Sequence, residues 1–362
     1  PNPNVELAVL FMTGLIDLNV DQLRRLSMII REQEILRIND VQFGSELERV
    51  SYMKECTANY RTIQTVLDNS AILVEEHMAS HTKSPIAHNI YEQSRRLVNY
   101  GLQAIRSYSV RKEFLDKVVA HADDAMKQLR LLDPTNEPNV RRLAKDAQMF
   151  KDAITNFNAK YRSKDSEFFS KQIKEQGISF EELVARYKQK RGMSGAFKDL
   201  SEEDKFLVYE DIIKDSGRGQ IIEDGFSFAN MKLVTGLALI ALTAGIMAWD
   251  IFSSASTQII EKAIHNAADL AANVGGSMLG DYVAAALMDT ELAAMEGAAM
   301  LATVAGFIVG AAAGFLLAAL GGALIDAIFS SGGQVPSTQN FQIYVAPMPD
   351  GEALARQIAH NG

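Results

Sequence analysis

The feature of this sequence that most constrains its fold is a run of 29 residues without a charged side chain, from Gly297 to Ile325. Glu296 precedes the run and Asp326 follows it. Because a helix rises about 1.5 Å per residue, roughly 20 residues cross the hydrocarbon core of a bilayer. The run is therefore long enough to span a membrane as one helix, and a soluble chain that contains it must bury it.

A second apolar run extends over 17 residues, from Leu233 to Trp249, between Lys232 and Asp250. Its length lies at the short end of the range for a membrane-spanning helix. We expect both runs to be helical and to enter a membrane. The residues that we predict to insert are Leu233, Leu237, Leu239, Ile240, Ile246 and Trp249 in the shorter run, and Phe307, Ile308, Val309, Phe315, Leu316 and Leu317 in the longer one.

The composition is that of a folded protein, with 48% apolar and 22% charged residues in a chain of 362. Proline is scarce and strand patterns are weak, which favours helices. One cysteine, Cys56, leaves no disulfide possible within the chain. We predict an all-α fold, an elongated bundle of long amphipathic helices with a C-terminal Ala/Gly-rich hydrophobic helical region and a short strand-helix tail.

Four parts follow from this pattern. Residues 1–215 form a soluble helical bundle, and glycine-containing residues 216–230 form a linker. Residues 231–331 form the hydrophobic, membrane-active helical region, and residues 332–362 form the tail, in which FQIYVAP alternates like a strand and DGEALARQIAH is a short helix. Within the bundle we predict helix starts at Asn19 with Gln22, at Ser179 with Glu182 and at Ser201 with Asp204, and one long helix from Val140 to Gln176.

The net charge of −9 is unevenly distributed. No basic residue lies between Lys262 and Arg356, which argues against nucleic acid as a partner, because phosphate binding needs clustered cations. It also argues against a resident membrane protein oriented by flanking Lys and Arg. The first residues have no basic segment of the kind that begins a signal peptide. We therefore expect a soluble form that is secreted or released without a recognisable signal peptide and that acts on the membrane of another cell.

Three glycines in the longer run, Gly306, Gly310 and Gly314, repeat at four-residue spacing. This spacing places them on one helix face, where another helix can approach closely, and such faces drive helix association in lipid. The pattern predicts a homo-oligomer on the membrane. The alternative is a tightly packed helix hairpin within a soluble core.

Acidic residues separate the two apolar runs. An ionised side chain at the centre of a membrane helix costs about 2.5 to 3.5 kcal/mol on insertion scales, and protonation removes most of that cost. We therefore expect acid pH to assist insertion; for each acid alone, the alternative is a solvated face of an alanine-rich helix. The predicted pH-sensing acids are Asp269, Asp281, Asp289, Glu291 and Glu296.

The motifs that usually carry chemistry are absent from the sequence or incomplete in it. It contains no GxxxxGK[ST] phosphate loop, no GxGxxG after a strand and no GxSxG. His77 and His81 are four residues apart but lack the HExxH order of a zinc site. We predict no metal, no cofactor and no enzymatic activity.

A soluble bundle of long helices that carries an Ala/Gly-rich hydrophobic helical region, here residues 233–329, resembles the helical pore-forming toxins, the colicin pore domains and the cytolysin A-like group. The resemblance implies a protein that is soluble before it permeabilises a lipid membrane, that oligomerises there and that in some cases needs partner subunits.

The tail resembles a second family. FQIYVAPMPDGEALARQIAHNG is similar to the C-terminal ends of phage tail tape-measure proteins, which implies, as an alternative, a tail or DNA-ejection component. A further alternative is a non-enzymatic helical scaffold in which the apolar helices form only a buried hairpin.

Overall fold

A computed structural model describes residues 14–36, 38, 43, 45–106, 108–222, 234–253, 315–318, 329–333, 342–345 and 348–361. The fold is all-α, as predicted, with ten α-helices among these residues. The helices are α1 (Val20–Leu36), α2 (Glu46–His77), α3 (Ser84–Ala104), α4 (Tyr108–Leu131), α5 (Glu137–Ala159), α6 (Lys164–Glu175), α7 (Phe180–Lys190), α8 (Glu202–Ile213), α9 (Val234–Ser253) and α10 (Gly351–Asn361).

Side-chain caps begin three helices where the sequence predicts them. At α1 the Asn19 and Gln22 side chains each accept a hydrogen bond from the other residue's backbone N–H, at 2.9 and 3.0 Å. Ser179 and Glu182 form the same reciprocal box at α7, and the Ser201 hydroxyl accepts from the Asp204 N–H at α8. Each cap satisfies backbone donors that the first helical turn leaves unpaired.

The prediction of one helix from Val140 to Gln176 is wrong. The chain forms two helices there, α5 and α6, with a turn over residues 160–163. The Ser163 hydroxyl accepts a hydrogen bond from the Asp165 N–H at 3.2 Å and so starts a new helix. The apolar residues before and after this turn have helical spacing, so the sequence pattern alone did not indicate that the helix is interrupted.

The apolar helix α9 lies within the bundle. It packs along α8 and against α4, α5 and α6, and its side chains belong to the same apolar core as those of α1, α3 and α7. Residues 216–222, predicted as part of a linker, carry buried side chains at Ser216, Arg218, Ile221 and Ile222. The described part of the apolar region and the bundle therefore share one core.

A short antiparallel pair of strands joins the longer apolar run to the tail. β1 (Phe315–Ala318) pairs with β2 (Gln342–Val345), with Phe315 opposite Val345 and Ala318 opposite Gln342. The tail strand is thus confirmed, whereas an uninterrupted helix from Gly297 to Ile325 is wrong at residues 315–318. In this segment the backbone groups pair across a ladder rather than within a helix.

The tail helix α10 docks on α1 and α3. Two ion pairs hold its N-terminal end: Asp350 lies 2.6 Å from Arg106, and Glu352 lies 2.6 Å from Arg162. Gly351 lies so close to α3 that a Cβ atom added to it would be 1.9 Å from the Leu102 carbonyl oxygen. The tail is therefore an integral part of the bundle surface.

Replacing Gly351 with alanine is expected to lower the free energy of unfolding by about 1 to 3 kcal/mol, the usual cost of overpacking. The contact is to backbone, which cannot rotate away as a side chain would. Urea unfolding followed by circular dichroism measures the change. The control is Ala353→Ser, at an exposed position of α10, with an expected change within about 0.5 kcal/mol. Equal stability of both variants would contradict the close docking of α10.

Candidate functional site: a buried apolar helix

One helix in the described part of the chain, α9, is long and apolar enough to cross a membrane. The candidate span, Thr235–Ser253, has 19 residues, and 83% of an 18-residue apolar window within it lies buried inside the bundle. Length and composition alone do not separate a spanning helix from the core helix of a soluble protein. The contacts that hold α9 therefore decide what the helix can do.

Most of the residues of α9 that we predicted to insert lie in the protein core. Leu239 is 1% exposed, Ile240, Ile246 and Trp249 are 0% exposed, and Leu237 is half-buried. The Trp249 ring meets the Phe180 ring edge-on, with centroids 4.5 Å apart. In the folded protein the apolar surface of α9 is thus covered by the amphipathic helices.

The other predicted site residues lie elsewhere in the chain. Phe315, Leu316 and Leu317 belong to β1. The remaining inserting residues, the glycine face and the five acids lie outside the described residues, namely Leu233, Phe307, Ile308, Val309, Gly306, Gly310, Gly314, Asp269, Asp281, Asp289, Glu291 and Glu296.

A buried ion pair fixes the C-terminal end of α9. An Nη atom of Arg218 lies 2.7 Å from the Asp250 carboxylate, and the two side chains are 3% and 12% exposed. Tyr161 donates from its hydroxyl to Asp250 at 3.3 Å, and its ring centroid is 5.5 Å from the guanidinium carbon. Arg218 also donates to the Ser166 hydroxyl at 3.0 Å. The charge of Asp250 is therefore neutralised within the fold by a segment outside α9.

Sequence reasoning missed this pair because it placed Arg218 in a linker. One pattern points to it: Asp250 directly follows an uncharged run, and a buried carboxylate at that point needs a cation. Burial and the charge of Asp250 raise the pKa of the Tyr161 hydroxyl well above its usual range, so Tyr161 remains a hydrogen-bond donor.

His121 marks the N-terminal end of α9. This histidine of α4 is 1% exposed, and its ring stacks on the Phe150 ring of α5 with centroids 4.1 Å apart. The first turn of α9 lies against the ring edge, since a Cβ atom at Gly236 would be 3.0 Å from Cε1 of His121. Both ring nitrogens are buried, and neither has a hydrogen-bond partner in the described structure. Burial lowers the pKa of His121 from 6.5 to about 4, so the ring is neutral at pH 7.

A cavity of about 310 Å³ borders the middle of α9, between this helix, α4 and α8. Its apolar wall includes Ala238, Ala241 and Leu242, and its polar side includes Lys205, which donates to Glu202 at 2.8 Å. The cavity is partly open to solvent, so this face of α9 borders space that water can enter, whereas the face that carries Trp249 packs against aromatic rings.

Comparisons with known proteins gave no relatives: no family model, no curated protein and no solved structure matches the chain. Within the described ranges, no group of three or more His, Cys, Asp or Glu residues is placed to hold a metal ion.

Proposed function

We propose that this protein permeabilises membranes, and that it folds as a soluble bundle that keeps an apolar helix buried until it meets lipid. The observation that carries the proposal is α9. This helix has 20 residues, carries no charge from Val234 to Trp249, and lies in the core of a bundle of amphipathic helices. Such a helix pairs the backbone N–H and C=O groups of its interior within itself, as lipid requires, and only the groups at its two ends need other partners.

The positions of the polar contacts support release of α9 as a unit. The ion pair between Asp250 and Arg218 lies at its C-terminal end, and at its first turn the Thr235 hydroxyl donates to Asp124 of α4 at 3.3 Å. Between these ends the contacts of α9 are largely apolar. Lipid chains replace apolar contacts at little cost, so the polar contacts at the two ends are the ones that insertion must exchange.

On this proposal the longer run, Gly297 to Ile325, supplies further membrane-active surface. The inserted form is a homo-oligomer that associates through Gly306, Gly310 and Gly314. These residues lie outside the described ones, and their role rests on the sequence.

A scaffold in which α9 is simply a core helix is the second candidate, and the burial of most of the span inside the bundle favours it. Trp249 distinguishes the two functions, because it is the only tryptophan of the chain and lies on α9. If the protein is a scaffold, the fluorescence of Trp249 does not change when lipid vesicles are added. In the membrane-active protein it moves into the acyl chains.

The test uses the full chain, because a truncation before α9 would remove part of the core. Anionic vesicles loaded with a self-quenching dye are mixed with protein at neutral pH and at about pH 5. Quenching of Trp249 by lipids brominated at different depths is measured in parallel. We expect dye release together with quenching by deep bromines. Intact vesicles and an unchanged Trp249 spectrum at both pH values would refute the proposal and favour the scaffold.

A further inference from the structure

We infer that His121 is an acid-sensitive latch: in its neutral form it holds the first turn of α9 against α4 and α5, and its protonation releases that turn. The inference rests on the proposed function, since it names the regulation of the same helix. The sequence analysis did not single out His121, since the pH-sensing groups that it predicted are carboxylates of residues 269–296.

The geometry of His121 makes a charged ring incompatible with the closed contact. An imidazolium ion has two N–H donors, and both ring nitrogens lie buried without an acceptor in the described structure. The face of the ring is covered by Phe150, and its edge meets the backbone of α9 at Gly236. Because both nitrogens are shielded from water in the folded protein, they are solvated only when the packing around the ring opens.

The glycine on α9 is what permits so close an approach. A Cβ atom added at position 236 would lie 3.0 Å from Cε1 of His121 and 3.3 Å from Cδ2 of Phe150, which is tighter than most side-chain contacts, so the helix backbone lies close to the ring edge. The residues of α9 before Trp249 supply no charge to balance an imidazolium ion. The contact between α9 and His121 is therefore the one that protonation weakens most directly.

The charged groups around His121 do not remove this conflict. Asp124, on α4, favours the charged ring, but burial outweighs it in lowering the pKa to about 4. The Asp124 carboxylate is already engaged, since it accepts from the Thr235 hydroxyl of α9 and from the Gln128 amide, each at 3.3 Å. Lys117 lies one turn earlier on α4, and Asp146 lies one turn before Phe150 on α5.

The sign of the pH effect follows from linkage. The folded-state pKa of His121, about 4, is below the value of 6.5 for a solvated histidine, so the open form binds the proton more tightly. Opening becomes about tenfold more favourable for each pH unit between 6.5 and 4, or about 300-fold in total. Two buried carboxyl groups, Glu34 and Glu210, have the opposite effect. Burial raises the pKa of each, so the folded state binds their protons more tightly and acid stabilises it at these two positions.

The experiment measures hydrogen exchange of the full chain across this pH interval. Protection factors are corrected for the intrinsic pH dependence of exchange and compared for the peptide that covers the start of α9. In the wild type we expect protection to fall about tenfold per pH unit below 6.5. In His121→Met, which fills the site but cannot titrate, we expect protection to be independent of pH. The control His88→Met, at an exposed position of α3, should behave as the wild type does.

An equal pH dependence in wild type and His121→Met would overturn the inference. Should the variant fail to fold, the wild type itself gives the answer: NMR titration of the His121 ring is expected to show a pKa below about 5, and a value near 6.5 would overturn the inference.

Vesicle leakage separates the two proposals. Opening that depends on His121, without dye release at any pH, would refute membrane permeabilisation and leave the latch intact. Dye release with the same acid dependence in His121→Met would refute the latch alone.

Discussion

Replacing Asp250 with asparagine is expected to lower the free energy of unfolding by about 3 to 5 kcal/mol. The substitution keeps the shape of the side chain but leaves the Arg218 charge, 3% exposed, without its counter-ion. Removing one partner of a buried pair costs this much because the other charge remains in a medium of low polarity. Chemical unfolding followed by circular dichroism measures the change, with the midpoint and the slope both reported.

The matched control is an exposed ion pair. Arg141 lies 2.7 Å from Glu137 on α5, but these side chains are 80% and 74% exposed. Glu137→Gln should therefore change the stability by less than about 0.5 kcal/mol. A loss below about 1 kcal/mol for Asp250→Asn would mean that water reaches the Arg218 pair and that the pair does not restrain α9.

The double variant Arg218→Met, Asp250→Leu removes both charges and so also tests whether the ion pair restrains α9. Replacing both charges with apolar groups of similar volume is often close to neutral in stability. On the proposed function, Asp250→Asn should release vesicle dye faster than the wild type at neutral pH, because α9 is less firmly held. The double variant should return the rate toward that of the wild type. Equal rates for all three proteins would show that the ion pair does not control insertion.

Sequence patterns gave the parts of the fold that depend on neighbouring residues. The all-α class and the helix starts at Asn19, Ser179 and Ser201 follow from local spacing and capping, and the apolar run from Leu233 to Trp249 is helical, as predicted, from Val234 onward. The tail strand and tail helix were also predicted from alternation and composition. In each case the residues that decide the structure lie within a few positions of one another.

The candidate site was harder to predict from the sequence, because its contacts join residues that are far apart in the chain. Arg218 reaches Asp250 across 32 positions, and His121 meets Gly236 from another helix. Hydropathy identifies α9 as apolar, but it does not say whether the helix faces lipid or protein. Similarly, the pairing of Phe315–Ala318 with Gln342–Val345 could not be predicted from an uncharged run, which fits a buried strand as well as a helix.

Replacing Trp249 with alanine is expected to be the most disruptive apolar substitution in α9, with a loss of about 3 to 5 kcal/mol. The ring is 0% exposed and packs against the rings of Phe180 and Phe252, with centroid distances of 4.5 and 5.8 Å. Removing it leaves a cavity that rigid aromatic neighbours cannot refill. Circular dichroism must be used, because the variant has no tryptophan.

Trp249→Phe is the matched variant for this site. The indole Nε1 has no hydrogen-bond partner in the described structure, so phenylalanine gives up ring area but no hydrogen bond, and the loss should stay below about 2 kcal/mol. A cost for Trp249→Ala as small as that for Trp249→Phe would show that the aromatic cluster does not anchor α9. On the proposed function, dye release from vesicles should rise in the order wild type, Trp249→Phe, Trp249→Ala, because weaker packing in the soluble form favours transfer of the helix to lipid. For a scaffold, these losses of stability would produce unfolding without any release of dye.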